Sequence, residues 1–452
     1  MIPLKLKEVA AACNAEFSGD GEKKIYSVCT DTRKIEEGCL FIALKGENFD
    51  GNAFVEEALS KGAAAAVSSR NINDGRVLKV QDTCKALSLI AGMYRRRFQI
   101  PVIALTGSVG KTTTKEMVHC VISSKYKTLK SLGNLNNQIG MPMTVFSLDE
   151  TYEAAVFEMG MADFGEISNL SRVAAPTLGI LTNIGVSHME TLGSRENILK
   201  AKMEILDGME KDAPIIVNAD DEYLKNADFG EREVIWYGIE SEKCHIKAED
   251  ITSDGMYTDF TADLKGEKQK VHLPTIGIHN VYNALAALAA GVKYGISLSE
   301  GAASLEKYEP SGMRQRVRKA GDITVIEDCY NASPDSMKAA LSALSAFKAE
   351  RKIAVLADML ELGAISEEAH RNVGKMAANF NIDMLFTFGK QAKFISEGAE
   401  SLKNVKSFED KKELTESLLS CVRPGDCILF KGSRGMKLEE VINALYEGWN
   451  RK

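Results

Sequence analysis

The chain lacks most features that mark secreted, membrane-bound or nucleic-acid-binding proteins. Its nine cysteines form no Cys-x-x-Cys motif and do not pair with the six histidines at zinc-ligand spacing. We expect them to be buried or free thiols in a reducing compartment. The net charge of −7 provides no basic excess for nucleic acid. No apolar run is long enough to span a bilayer, and residues 1–8 lack the apolar core of a signal peptide, so a cytoplasmic protein is expected.

Length and apolar pattern predict an α/β protein of several domains. A chain of 452 residues exceeds what one hydrophobic core usually supports. Residues 1–98 contain short alternating helices and strands. Residues 99–311 alternate strands and helices as a covered parallel sheet does, with a small antiparallel insert between His245 and Leu273. Residues 312–452 repeat this alternation and predict a Rossmann-like unit, in which Asp328, Asp358 and Lys431 stand at the carboxyl ends of strands, where open sheets bind ligands.

A glycine-rich turn follows an apolar run that is predicted to be a strand. Its sequence is Thr106-Gly107-Ser108-Val109-Gly110-Lys111-Thr112-Thr113. Backbone amides in such a turn bind phosphate oxygens, the lysine can reach the terminal phosphates, and the hydroxyl of Thr112 can hold Mg²⁺. The usual spacing would place a glycine where Leu105 stands, so the motif is the shorter Gly-x-x-Gly-Lys-Thr. Its strand–loop–helix context favours nucleotide binding over a simple helix cap.

Further polar residues could complete a metal site. Glu158 ends the predicted strand Ala154–Glu158 and is either a metal ligand or solvated. His188 follows another strand, where a core, capping or ligand role is equally plausible. Lys200 and Lys202 lie on an amphipathic helix, where a solvated face is the simpler interpretation. A deprotonated lysine amine could instead add CO₂ to form a carbamate, which would require a lowered pKa.

Together these motifs resemble the Mur ligase family in both order and sequence. The matching elements are the turn at 106–113, Glu158, the runs Thr182–His188 and Ala201–Glu204, and Gly277–Ala284. Mur ligases build the peptide stem of bacterial cell walls, and the resemblance covers essentially the whole chain. It implies an N-terminal UDP-sugar-binding α/β domain, a central P-loop-type parallel-sheet ATPase domain and a C-terminal Rossmann-like domain.

The resemblance also implies roles for individual residues of the central domain. Lys111 would contact the ATP phosphates, Thr112, Glu158 and His188 would serve magnesium ions, and Lys202 would be the carbamylated lysine. Lys111, His188 and Lys202 are therefore candidate catalytic residues.

Residues near the predicted domain boundary complete the implied nucleotide site. Asn280 and Asn283 resemble adenine-contacting asparagines, although Asn280 alone also fits a helix N-cap. Arg314 resembles a catalytic arginine that reaches the γ-phosphate across a domain boundary. Arg316 and Arg318 leave that assignment open.

One run in the third domain separates the members of the family. Asp328-Cys329-Tyr330-Asn331-Ala332-Ser333-Pro334-Asp335-Ser336-Met337 resembles the version in members that add D-alanyl-D-alanine to UDP-N-acetylmuramoyl-tripeptide. Other members carry a histidine-containing version. The run implies that Asp328 holds the ATP ribose and that Asn331 lies beside the nucleotide. A segment beginning at Ala357 also resembles these members, with alanine in place of their first glycine.

The same resemblance implies substrate contacts in all three domains. Those in the first domain would bind the UDP-sugar, those in the second would face the substrate, and those in the third would lie near the incoming dipeptide. From the residues alone, those in the first domain fit common surface turns, those in the second a loop, and those in the third a basic solvated loop after a strand. They are Asp31, Arg33, Lys45, Gly46, Asn136, Asn137, Lys431 and Ser433.

The expected reaction is amide formation through an acyl phosphate, catalysed by a monomer with ATP and Mg²⁺. One alternative is a sibling Mur ligase that adds a single amino acid. Another is a regulatory P-loop NTPase that forms no bond, and a third is a nucleotide-sugar-binding protein without catalysis.

Overall fold

The structure, a computed structural model, describes residues 1–46, 49–310 and 312–449. It has three α/β domains, as expected. The predicted boundary at Ser311 lies outside the described residues. Within these residues, no helix is long and apolar enough to cross a membrane. All nine cysteines are free.

The first domain is a small parallel sheet flanked by helices. Its four-stranded sheet has the order Ser27–Cys29, Cys39–Ile42, Ala65–Ser68 and Val77–Lys79. The helices are Leu6–Cys13, Val55–Ser60 and Thr83–Arg95, and a two-stranded ribbon pairs Leu4–Lys5 with Lys24–Ile25. The carboxylate of Asp82 caps the last of these helices by accepting hydrogen bonds from the amides of Cys84 and Lys85.

The central domain is built on a nine-stranded sheet. Its spatial order is Glu267–Leu273, Thr258–Leu264, Ile246–Ser253, Val234–Gly238, Ile215–Asn218, Leu178–Leu181, Val102–Thr106, Ala154–Glu158 and Thr128–Lys130. Thr258–Leu264 pairs antiparallel with both of its neighbours, and all other neighbouring strands in this sheet pair in parallel. The predicted antiparallel insert is therefore present, but it extends the main sheet because Ile246–Ser253 pairs with Val234–Gly238. The helices are Lys111–Ile122, Gly140–Val145, Glu166–Ala174, Met189–Leu192, Arg195–Met203, Ile278–Lys293 and Leu298–Leu305.

The third domain is the expected Rossmann-like unit with one added edge strand. Its six-stranded sheet has the order Arg316–Ala320, Ile323–Asp328, Asp426–Lys431, Arg351–Ala357, Met384–Phe388 and Val405–Phe408. Only the first strand is antiparallel to its neighbour. The helices are Pro334–Ala346, Ser366–Asn379, Lys393–Gly398, Lys411–Cys421 and Glu439–Trp449.

The first two domains share one hydrophobic core. A continuous cluster of buried apolar side chains extends from Leu4 through Tyr94 to Phe229. The fully buried Tyr94 hydroxyl donates to the carbonyl of Leu148 and accepts from the amide of Ile2 at 2.8 Å. The first domain is thus fixed on the central domain by packing as well as by the chain.

Candidate nucleotide and metal site

The glycine-rich turn joins a central strand to the helix that begins at Lys111, as predicted. Gly110 has φ +84°, and a Cβ atom there would lie 2.8 Å from Asn283 Oδ1. A Cβ atom on Gly107 would lie 1.8 Å from Thr182 Oγ1. Glycine is required at both positions, because a side chain would collide with the neighbouring loop and helix.

A second loop holds the turn in place. The amides of Ser108 and Val109 donate to the backbone oxygen and Oδ1 of Asn183, at 3.0 and 2.9 Å. The Ser108 hydroxyl accepts from the amide of Gly185 at 2.8 Å. Thr106 ties the preceding strand to its neighbour by donating to the carbonyl of Met159 at 2.9 Å. The first helical turn, residues 110–113, lines the cavity, where its amides lack intrahelical acceptors.

A cavity of about 530 Å³ lies between the central and third domains. It brings together most of the predicted nucleotide and metal residues. Those lining it are Ser108, Val109, Gly110, Lys111, Thr112, Thr113, Asn136, Asn137, Glu158, His188, Asn280, Asn283, Arg314, Asp328, Asn331 and Lys431. Among the described residues, the predicted site residues that do not line it are Thr106, Gly107, Lys202, Ser433, Asp31, Arg33, Lys45 and Gly46.

Glu158 is a buried carboxylate with one oxygen uncommitted. It is 2% exposed, and its Oε1 accepts from Asn136 Nδ2 at 2.8 Å. Among the described residues, none donates a hydrogen bond to its Oε2, and the ammonium of Lys115 lies 3.7 Å away. The solvated interpretation of Glu158 is therefore wrong. Lys115 was not singled out by the sequence analysis, although it lies one turn after Lys111 on the same helix face.

His188 and Lys202 lie near Lys111 and are perturbed by it. Burial first, and then the charges of Lys111 and Lys202, lower the pKa of His188 to about 4. Its imidazole is therefore neutral near pH 7, with a lone pair available to a metal. Burial, followed by the charge of Lys111, lowers the pKa of Lys202 well below its usual range, and no acidic group in the described part of the chain raises it. The solvated-face interpretation holds for the exposed Lys200 but is wrong for Lys202, which is 1% exposed.

The two predicted adenine-contacting asparagines are buried and linked to each other. Asn280 is not an N-cap, because its helix begins earlier and is capped by Gly277. Its Nδ2 donates to the carbonyl of Ile276 at 2.7 Å. Asn283 Nδ2 donates to Asn280 Oδ1 at 3.0 Å, and Asn283 Oδ1 accepts from the hydroxyl of Thr114, also at 3.0 Å. The pair thus connects the cavity to the P-loop helix.

The structure places one of the three candidate arginines in the cavity lining. The guanidinium carbon of Arg314 lies 4.0 Å from the ring centroid of Tyr330, which also lines the cavity. Arg316 and Arg318 lie exposed on the edge strand Arg316–Ala320, and Arg318 Nε is 3.7 Å from Glu327 Oε1. This geometry favours Arg314 for a contact with phosphate.

Two of the three predicted strand-end residues of the third domain line the cavity. Lys431 is buried and donates to Asp328 Oδ2 at 2.8 Å, so the interpretation of Lys431 as a solvated loop residue is wrong. Asp358 stands at the carboxyl end of its strand as predicted but does not line the cavity, and its Oδ1 accepts from the amide of Ala392 at 2.6 Å. Ser433 is also buried, and its hydroxyl accepts from the amide of Leu360 at 2.9 Å.

The alanine that replaces the family's glycine at position 357 is accommodated. A Cβ atom added to Gly432 would lie 2.6 Å from the Cβ of Ala357. Glycine at 432 therefore leaves the space that the methyl group of Ala357 occupies.

The predicted UDP-sugar residues lie at the surface of the first domain, where Asp31 caps a short 3-10 helix that contains Arg33, and Lys45 and Gly46 follow a strand. Arg33 forms an ion pair with Asp31 at 2.7 Å, and its side chain is 86% exposed. The hydrogen bond from that guanidinium holds the pKa of Asp31 well below its usual range. The backbone of Lys45 forms an isolated antiparallel β-bridge with that of Asp50, and the amide of Gly46 donates to the carbonyl of Phe49 at 2.8 Å. Their role in substrate binding stays a prediction.

Two further residues connect the third domain to the central domain. Gln315 is 8% exposed, lines the cavity and accepts from Asn280 Nδ2 at 2.8 Å. Asp335 Oδ2 accepts from the amide of Val186 at 3.4 Å, beside the loop that carries His188. The sequence analysis assigned neither a role, because each acts through a contact with a residue far away in the chain.

The fold and the cavity define the class of this protein. The P loop lies at the carboxyl edge of the central sheet and faces the third domain across the cavity. The first domain packs on the central domain through the shared core. This is a three-domain α/β P-loop protein. Family models match residues 24–95 as the Mur ligase family, catalytic domain, residues 105–291 as the Mur ligase middle domain, and residues 313–434 as the Mur ligase, glutamate ligase domain. The chain therefore belongs to the Mur ligase family.

Individual relatives match over nearly the whole chain. The UDP-N-acetylmuramoyl-tripeptide--D-alanyl-D-alanine ligase of Bacillus subtilis is 42% identical over 94% of this chain and 93% of its own length. The Escherichia coli ligase of the same name is 36% identical over 99% of both chains. A crystal structure of MurF from Acinetobacter baumannii superposes with a TM-score of 0.92 at 32% identity, covering 98% of this chain and 99% of that one. MurF ligase from Thermotoga maritima, solved in complex with ADP, gives a TM-score of 0.88 at 28% identity and covers 94% and 98%.

Proposed function

We propose that this chain is an ATP-dependent ligase that joins D-alanyl-D-alanine to UDP-N-acetylmuramoyl-tripeptide. The observation that carries the proposal is the cavity in which the P loop, Glu158 and Arg314 meet across two domains. Relatives named for this reaction match nearly the whole chain. The third-domain run 328–337 supports the dipeptide over a single amino acid as the group added.

The reaction requires an activated carboxylate. The terminal carboxylate of the tripeptide attacks the γ-phosphorus of ATP, forming an acyl phosphate and releasing ADP. The free amine of D-alanyl-D-alanine then attacks the acyl carbon, the amide bond forms, phosphate leaves, and the amine proton passes to solvent. Lys111 and Arg314 would offset the repulsion between the carboxylate and the triphosphate. Closure of the third domain would keep water from the acyl phosphate.

The residues of the central domain fit a magnesium ion. Glu158 offers a buried oxygen that lacks a donor, and the lowered pKa of His188 leaves its imidazole neutral. The hydroxyl of Thr112 lines the same cavity. We assign these three residues as ligands. Bound Mg²⁺ would neutralise phosphate charge.

Lys202 fits the proposed carbamate. It is buried, it has no acidic partner among the described residues, and its pKa lies well below the usual range. Its neutral amine could add CO₂ and lose a proton, which would replace a cation with an oxygen ligand. The carbamate would lie near His188, whose pKa Lys202 perturbs.

The remaining predicted contacts divide the substrates among the domains. We propose domains at residues 1–98, 99–311 and 312–452, close to the ranges of the family models. The first would bind the UDP-sugar, the central domain the tripeptide, and the third the nucleotide ribose and the dipeptide. The residues assigned to these contacts are Asp31, Arg33, Lys45 and Gly46 for the UDP-sugar, Asn136 and Asn137 for the tripeptide, Asp328 and Asn331 for the nucleotide, and Lys431 and Ser433 for the dipeptide.

A cytoplasmic monomer is the proposed working form. The free cysteines are consistent with a reducing compartment.

Phosphate release tests the proposed function. Purified protein receives ATP, Mg²⁺, UDP-N-acetylmuramoyl-tripeptide and D-alanyl-D-alanine, and each is omitted in turn. We expect phosphate release only with the complete set, and loss of release in Lys111→Ala. Activity with a single amino acid in place of the dipeptide would favour the sibling ligase. Hydrolysis that needs neither peptide substrate would favour a regulatory NTPase.

A further inference from the structure

Gln315 occupies a strained position at the start of the third domain. Its φ is +50°, in the left-handed region that residues other than glycine rarely adopt. It follows Arg314 directly, it is 8% exposed, and it lines the cavity. A conformation of this kind persists when surrounding contacts determine it, and such positions cluster at ligand-binding sites.

Hydrogen-bond chemistry fixes the orientation of every amide around this residue. The carbonyl oxygen of Ile276 can only accept, so the Asn280 atom 2.7 Å away is its Nδ2. That nitrogen also donates to Gln315 at 2.8 Å, and the contacting glutamine atom is therefore Oε1. The same Oε1 lies 2.7 Å from His279 Nε2, which must carry a proton. Both lone pairs of Gln315 Oε1 are thus occupied.

The series of hydrogen-bonded amides continues toward the P loop. Asn283 Nδ2 donates to Asn280 Oδ1 at 3.0 Å, and Asn283 Oδ1 accepts from the hydroxyl of Thr114 at 3.0 Å. Each bond has one possible direction once Ile276 is taken into account. Gln315 therefore ends an ordered chain of amides that runs from the third domain to the P-loop helix.

This order determines which atom Asn280 can offer to a base. Its two Nδ2 hydrogens donate to Ile276 and Gln315 at 2.7 and 2.8 Å, and one of them is shared with the longer 3.2 Å contact to Thr275 Oγ1. Its Oδ1 has one donor and retains a free lone pair. Asn280 lines the cavity, so this lone pair is the hydrogen-bonding position that its side chain has left for a base bound there. A 6-amino purine can donate to that oxygen, whereas the 6-oxo group of hypoxanthine places a second acceptor against it.

We propose that Gln315 is a positioning residue that favours a 6-amino purine nucleotide, because it adds a second acceptor beside the Ile276 carbonyl and so strengthens the preference of the Asn280 amide for one orientation. The inference rests on the proposed function, because it takes the cavity as the nucleotide site. Without the glutamine acceptor, the Asn280 amide loses one of the bonds that distinguish its two orientations. Discrimination against a 6-oxo purine then falls.

Direct binding of product nucleotides tests this role without turnover. Isothermal titration calorimetry compares ADP with IDP, which differ at the 6-position of the base. We expect the wild-type protein to prefer ADP, and Gln315→Met, which has similar length but no amide, to reduce the ADP-to-IDP affinity ratio about fivefold to tenfold, as expected for one hydrogen bond. Gln315→Glu keeps both acceptor contacts and should retain the wild-type ratio.

The outcomes separate this inference from the proposed function. A wild-type protein that binds neither nucleotide contradicts the proposed function. A wild-type preference for ADP that is unchanged in Gln315→Met shows that Gln315 does not set selectivity, even where the variant has lost stability. If Gln315→Met does not fold, Gln315→Gly removes the side chain together with the positive-φ strain and carries the same expectation.

Discussion

The buried ammonium of Lys115 offers a quantitative test of the metal site. Lys115 is fully buried, and its Nζ lies 3.2 Å from Glu116 Oε1 and 3.7 Å from Glu158 Oε2. Glu116 also pairs with Lys130, whose side chain is 26% exposed. Lys115→Met removes the positive charge with little change of side-chain length and leaves Glu158 without its nearest countercharge.

The size of the effect follows from burial. Removing one partner of a buried ion pair typically destabilises a protein by about 3–5 kcal/mol, because the remaining charge stays buried. The distances at Lys115 favour the lower end. A loss of about 3 kcal/mol corresponds to a melting temperature about 5 °C lower for a cooperative unit of roughly 310 residues, at about 2.1 cal/mol/K of unfolding entropy per residue. The matched control Lys130→Met removes a partly exposed pair and should cost about 1 kcal/mol or less.

Thermal melting with EDTA and with Mg²⁺ is the assay. In EDTA, Lys115→Met should melt well below the wild-type protein. Added Mg²⁺ should stabilise the variant more than the wild type. In the variant the charge of Glu158 is no longer offset by Lys115, so Mg²⁺ should bind the folded protein more tightly, and tighter binding raises the melting temperature. Adding Glu158→Gln to Lys115→Met should restore part of the lost stability in EDTA and abolish the additional Mg²⁺ effect.

Two results would refute this reasoning. An equal Mg²⁺ shift in Lys115→Met and wild type would mean that Glu158 does not hold the cation. A double variant that melts below Lys115→Met in EDTA would mean that the unpaired Glu158 charge does not cause the instability.

The remaining predictions concern the P loop, the arginine and the carbamate. Gly110→Ala should abolish detectable ADP binding in calorimetry. Gly165→Ala is the control, because Gly165 is also a helix N-cap with positive φ (+80°) but has open space around it; this variant should lose only about 1–2 kcal/mol of stability. Equal ADP binding by both variants would contradict this prediction. Arg314→Ala should lower kcat about 100-fold or more and Arg316→Ala should leave it near wild type, and the reverse order would move the assignment to Arg316. With ¹³C-bicarbonate, NMR should show a carbamate signal that Lys202→Arg lacks. Because the pKa of Lys202 is lowered, its amine stays neutral at pH values where an ordinary lysine is protonated. The carbamate signal should therefore persist at those pH values and fall only below the lowered pKa. Equal signals in wild type and variant would place the carbamate elsewhere.

Short apolar runs along the sequence predicted the strands next to the P loop and the strands that end in polar site residues. The strand Ala154–Glu158 has the predicted bounds, because it is a short, mostly apolar run with polar residues at its ends. The edge strand Arg316–Ala320 was missed because it carries charged, exposed side chains, as edge strands commonly do. The pairing of Ile246–Ser253 with the main sheet was also missed, because residue alternation does not encode which strand is the neighbour.

Within the site, sequence reasoning reached residues whose chemistry is local. The glycines of the turn and Glu158 at a strand end were found in this way. Lys115 and Gln315 were not, because their roles depend on partners that only the folded chain brings near: Glu158 for Lys115 and Asn280 for Gln315. Likewise, the burial that distinguishes Lys202 from Lys200 follows from how their helix packs, since both lysines stand in the same basic segment.

The shared core of the first two domains limits how this molecule can be divided. Tyr94 reaches Leu148 from a helix of the first domain, and the same apolar cluster extends to Phe229. The two domains should therefore melt in a single cooperative transition. A fragment starting at residue 99 would expose the inner face of that cluster and aggregate. We therefore expect the first and central domains to move as one rigid unit during turnover. The third domain would move relative to that unit at the junction near Gln315.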